Sequence, residues 1–114
     1  MDLKNIQDNM VFSDKTFTKR ILFSTPEVLS FILNLMPGQT LPVHKHENSG
    51  LVYTVLSGCG QIKINDEVSD IIFGSAGFAK GQDDFSIPSV SEDMSLLVSI
   101  SPNPANNIYS QAIG

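Results

Sequence analysis

Residues 35–58, LMPGQTLPVHKHENSGLVYTVLSG, hold the pattern from which the fold can be read. A turn pair, Pro37-Gly38, is followed by a short run that ends in His44 and His46, two residues apart. A polar turn, Glu47-Asn48-Ser49-Gly50, separates these histidines from Leu51 to Ser57, a β-branched and aromatic run closed by Gly58. Apolar runs of this length, bounded by Gly, Pro and Asn, predict strands rather than helices. On a strand, residues i and i+2 share a face, with Cα atoms about 6.5 Å apart. Two imidazoles aimed into one cavity at that spacing can share a metal ion, each giving a nitrogen at about 2.1 Å. The same pair can also be two surface histidines beside a turn.

The two-residue period extends in both directions. Upstream, Thr16 to Ser24 reads as a strand, Thr25-Pro26-Glu27 as a turn, and Val28 to Met36 as a strand with Phe31, Leu33 and Leu35 on one face. Downstream, Gln61 to Ile64 breaks at Asn65-Asp66, a hairpin-like stop. Near the end, Met94, Leu96, Val98 and Ile100 alternate with Ser95, Leu97, Ser99 and Ser101, before Pro102 and Pro104. Residues 1–10 read as an arm or a fraying terminus, and the stretch from Pro104 to Gly114 has too little pattern to assign. Short strands broken this often predict a single antiparallel all-β domain, a sandwich or barrel.

Composition narrows the function. The 114 residues allow one core, and 41% apolar with 17% charged residues excludes a disordered tail or a coiled coil. Apolar runs are too short to span a bilayer, so no membrane partner is expected. The opening MDLKNIQDNM lacks the order of a secretory signal, and a lone cysteine, Cys59, forms no internal disulfide; both predict a cytoplasmic setting. Cys59 itself reads as a small, turn-adjacent hydrophobe. The net charge of −5 arises wholly in residues 58–114, where Lys63 and Lys80 face seven carboxylates. Nothing supplies the positive face that a nucleic-acid binder needs.

Gly38, His44, His46 and Gly58 stand in the spacing of the first motif of the cupin superfamily, G-x5-H-x-H-x(3,4)-E-x6-G. The chain resembles a small single-domain cupin of the conserved-barrel type. The resemblance runs over residues 16–102, which leaves residues 1–15 as an N-terminal arm and 103–114 as a C-terminal tail packing on or extending the barrel. It implies a double-stranded β-helix, a jelly-roll barrel whose mouth holds a metal or small-ligand pocket. It places Gly38 and Gly58 in tight turns with positive φ. Leu51, Tyr53, Phe31, Leu33 and Phe85 become candidates for binding the small-molecule ligand, with plain core packing as the other reading for most of them.

The sequence departs from the family at the acidic ligand. The glutamate position falls on Leu51 or Gly50, and neither side chain binds a metal. The second motif, G-x5-P-x-G-x2-H-x3-N, finds no third histidine. One register puts Asp84 in that place, with Gly81 as the central glycine and Phe85-Ser86-Ile87 as a following strand. Another puts Asp93 there. With Asp84, the candidate metal set is His44, His46 and Asp84, a facial two-histidine, one-carboxylate arrangement suited to a divalent metal (Fe, Mn, Ni or Zn). Two functions follow from the resemblance: a metal-binding cupin with dioxygenase or isomerase chemistry, or a non-catalytic ligand-binding or sensing barrel that has lost a complete metal site. A homodimer is expected in either case, because open barrels have edges that need cover, and Val11-Phe12 of the arm is a segment that can swap between copies.

Overall fold

The computed structural model describes residues 1–104 and 111–114. It is an antiparallel β structure with a single 3-10 turn, among the described residues, at Gln7–Asn9. Its strands are β1 (Thr18–Ser24), β2 (Leu29–Leu35), β3 (Leu41–His44), β4 (Gly50–Ile64), β5 (Glu67–Ile72), β6 (Ala76–Ala79) and β7 (Phe85–Ser101). The order is β1-β2-β7-β4-β5, with β3 pairing on β7 and β6 on β4. Among the described residues no helix is long and apolar enough to cross a membrane.

The core is built in rungs, as period-two alternation demands. Leu29 pairs with Ile100, which pairs with Leu51; Phe31 pairs with Val98, which pairs with Tyr53; Leu33 pairs with Leu96, which pairs with Val55. All nine side chains are buried. Every residue of β2 is buried, because its other face is covered too. There Asn34 donates to the carbonyl of Asn9 at 2.9 Å and to Thr18 Oγ1 at 3.0 Å, and accepts from Ser95 Oγ at 2.6 Å. Thr18 in turn donates to the carbonyl of Val11 at 2.5 Å, and Gln39 to that of Ser13 at 2.6 Å. The N-terminal arm is thus fastened to its own sheet through residues far along the chain. At the other terminus, the backbone N–H and C=O of Ile113 pair with those of Lys19, extending β1 at its edge.

Two segments that read as separate strands, Leu51 to Ser57 and Gln61 to Ile64, are one strand. The same holds for Phe85 to Ile87 and Met94 to Ile100, both within β7. The reason is a corner. The β4–β7 register shifts repeatedly between Val55 and Gly60, so that the two strands bend together through bulges and each serves both halves of the roll. Gly58 has φ +76, as expected, but in a bulge rather than in a turn. A Cβ there would lie 1.9 Å from the carbonyl oxygen of Asp93. Gly38, with φ +90, does sit in the turn after β2 and has open space around its missing Cβ.

This contrast yields a stability prediction. Gly38→Ala incurs only the strain of a positive φ, about 1–2 kcal/mol. Gly58→Ala adds a backbone collision that no rotamer relieves, and is expected to cost about 4 kcal/mol or more, or to leave no folded protein. Denaturant melts of both variants check this, and equal losses would refute the corner.

Candidate functional site

The roll encloses a cavity of about 460 Å³ at the end bounded by β3. Its walls are apolar: Phe31 and Leu33 from β2, Leu41 to Val43 from β3, Leu51 from β4, Phe85 and Val98 from β7. Phe17 and Ile113 complete the rim. Among the described residues, three polar side chains line this space: His44, His46 and Lys19. Among the described residues that line it, none is acidic.

Both histidines face the cavity. His44 ends β3 and pairs with Phe85, and His46 lies two residues on, 5% exposed. Their rings meet edge to face, with centroids 4.6 Å apart and planes at 82°. The turn carrying His46 is clamped from two sides. Ser49 donates to the carbonyl of Pro102 at 2.7 Å, and Gly81 packs so closely that a Cβ would lie 2.6 Å from the carbonyl oxygen of His46. His44 Nδ1 lies 2.8 Å from the carbonyl oxygen of Pro42. A carbonyl only accepts, so Nδ1 carries the proton and Nε2 the lone pair of the neutral ring.

Burial sets the electrostatics. His46 is pushed down to about 4 by desolvation first, then by the neighbouring His44 and Lys19. His44 is lowered chiefly by desolvation, with Lys19 adding to it and the Pro42 hydrogen bond opposing. Lys19 is lowered to about 8 by burial, and its ammonium sits 4.4 Å from the centre of the Phe31 ring, a cation–π contact. Sequence reasoning misses Lys19, although a signal is present: Phe17, Lys19 and Ile21 share one parity, and the two apolar members pack against the core.

The expected ligand residues divide. Leu51, Phe31, Leu33 and Phe85 line the cavity. Tyr53 is buried beside it, its ring 6.2 Å from that of Phe85, and packs over Gly77 without lining the space. Burial raises its phenol pKa.

Asp84 requires a correction. It does not join the histidines: its carboxylate is 3.8 Å from the Lys45 ammonium, with about half of each side chain exposed. Asp84 lies in the turn just before β7, whose first residue, Phe85, takes the position opposite His44. The Asp83-Asp84 pair is a turn lock instead. Asp83 accepts from Asn65 Nδ2 and from the Lys80 backbone, which together hold its carboxyl below the usual range, while the Asp84 backbone pairs with Asn65. Asp93, the other register, lies exposed on β7 at the corner. Among the described residues no three His, Cys, Asp or Glu side chains are grouped to hold a metal.

The metal that the resemblance implies therefore does not fit the residues present. Two imidazoles fall short of the three protein ligands of an open metal site. Leu51, 2% exposed, lines the cavity wall. Neither it nor Gly50, the two residues on which the acidic position falls, can donate to a metal through its side chain, and a neighbouring ammonium opposes a second cation.

Acid stability follows from the buried imidazoles. The unfolded chain binds protons near pH 6.5, whereas folded His46 does so only near 4. Stability is therefore retained above 6.5 and lost as pH falls toward 4, at no more than about 1.4 kcal/mol per pH unit for each such group. Denaturant melts between pH 7 and 4.5 should show a shallower decline for His46→Leu than for the parent protein. Equal slopes would mean that His46 is charged when folded.

No protein-family model and no curated protein matches the sequence. Solved structures do match. TT1209 from Thermus thermophilus is 28% identical, with 91% of this chain and 100% of that chain covered at a TM-score of 0.83. An RmlC-like cupin protein from Desulfovibrio desulfuricans is 27% identical over 90% of this chain and 98% of its own, with a TM-score of 0.81. Ectoine synthase from P. lautus, at 16% identity, shares the fold over 90% of this chain and 79% of its own, with a TM-score of 0.73. With the jelly-roll topology, the glycine and histidine spacing and these likenesses in agreement, the chain is a small single-domain protein of the cupin superfamily.

Proposed function

We propose that this cupin is a ligand-binding barrel that takes a small, mainly apolar organic molecule and holds no resident metal. One observation carries the reading: the cavity is of ligand size and apolar-walled, with Leu51 in its wall beside the two histidines and no acidic side chain among the described residues that line it. Pockets of a few hundred Å³ with a small number of placed polar groups are the usual form of small-molecule sites. Leucine in place of an acid favours an apolar guest by about 25 cal/mol per Å² of apolar surface covered. Enzymatic use of the same cavity would rest on the two imidazoles, whose basicity burial lowers.

The neutral fluorophore N-phenyl-1-naphthylamine tests this. Saturable one-to-one binding is expected, weakened at least tenfold in Val98→Phe, which fills the cavity from β7. An unbound probe would overturn the reading. Elemental analysis of purified protein is expected to find well under one metal per chain, unchanged by His44→Ala. Leu51→Glu supplies the absent third donor, and is expected to raise zinc or nickel affinity at least tenfold. Stoichiometric metal in the parent protein, lost in His44→Ala, would establish the metallo-cupin instead.

A further inference from the structure

Resting on that ligand-binding reading, we infer that the guest is a small amphiphilic carboxylate, its acid group against Lys19 at the histidine end and its body among the phenylalanines. Among the described residues, the charged and titratable side chains lining the cavity are basic: Lys19, His44 and His46. The chain has 12 acidic residues, yet none is among the described residues lining this space. In a protein of net charge −5, the cavity inside the roll is thus biased positive.

Geometry places that charge inside rather than at the rim. Lys19 pairs with Leu33 across β1 and β2, is 7% exposed, and holds its ammonium at the Phe31 ring. Its backbone is fixed on both edges, by β2 on one and by Ile113 on the other. The depression of both imidazoles by Lys19 agrees with the three groups facing a shared space. An ammonium in apolar surroundings gains more from an anion than an exposed one does, since the interaction is poorly screened. A carboxylate suits a single lysine. A divalent anion would need more cations than this lining holds. Phe17, Phe31 and Phe85 around the remaining volume favour a planar or aromatic body.

The experiment compares three probes of one shape at pH 7 by calorimetry or NMR titration: 3-phenylpropanoate, 3-phenylpropanamide and 3-phenylpropylamine. The acid is expected to bind at least tenfold more tightly than the amide, and the amine more weakly than the amide. Lys19→Met should bring the acid-to-amide ratio to about one, and Lys19→Arg should preserve the preference. Thermal unfolding reports whether each variant is folded. If Lys19→Met does not fold, the order acid, amide, amine in the parent protein decides the question. Equal binding of acid and amide, binding of neither, or a preference that survives in folded Lys19→Met, would each overturn the inference. The ligand-binding reading falls separately, when N-phenyl-1-naphthylamine also fails to bind.

Discussion

Where β4 crosses β7, two backbones touch at a point with no room for a side chain. The absent Cβ of Gly58 would sit 1.9 Å from the carbonyl oxygen of Asp93, and the register on either side of that point slips by bulges. Everything at the ligand end depends on this contact. Because β4 and β7 bend there without ending, one half of β7 pairs with β2 and the other with β3, and β4 divides between β6 and β5 in the same way. The sheet is thereby rolled upon itself. Straight strands of 15 and 17 residues would make a flat ribbon with no interior. The bend brings His44, at the end of β3, and His46, just beyond it, to one cavity with Leu33, Leu51 and Val98.

Buried polarity is used in two opposite ways. On the outer face of β2, Asn34 is fully enclosed and has a partner for each polar atom: Asn9, Thr18 and Ser95. That network joins the arm to the sheet, and a satisfied buried amide of this kind selects one packing over others. On the inner face, at the adjoining position Leu33, the neighbour across the ladder is Lys19. Its side chain borders an open volume of ligand size. The first arrangement is structural. The second has the form of a recognition group.

The distribution of what could be read from sequence follows the range of the interactions. The alternation in β2 and in the second half of β7 was legible because strand parity is local. The spacing of His44 and His46 allows a shared face for the same reason but also allows two surface histidines, and only His44 lies within a strand. Gly58 was recognised, but a glycine after an apolar run reads as a stop, whereas here it permits the strand to continue through a bend. The carboxylate of the second motif is not legible, because the spacing offers two registers, Asp84 and Asp93, and neither shows which side chain comes to lie opposite His44; in the fold that is Phe85. The fastening of the arm had no local sign at all, since Asn9 and Asn34 are 25 residues apart. Lys19 lay in a visible row with Phe17 and Ile21, but a lysine in such a row is ordinarily read as solvent-facing.

The leucine at position 51 and the lysine at position 19 make most sense together. A cupin that keeps its acidic ligand presents a negative group beside neutral imidazoles, an arrangement matched to a cation. Here an apolar side chain, Leu51, and a positive one, Lys19, border the space that the imidazoles share. Each change alone would be ambiguous: a leucine would merely weaken a metal site, and a lysine beside a glutamate would form an internal ion pair. In combination, an ammonium and an apolar wall beside the two imidazoles disfavour a bound cation and favour an anion. That is the physical ground of the proposed reading, and the apolar lining is what asks for a hydrophobic body on such an anion.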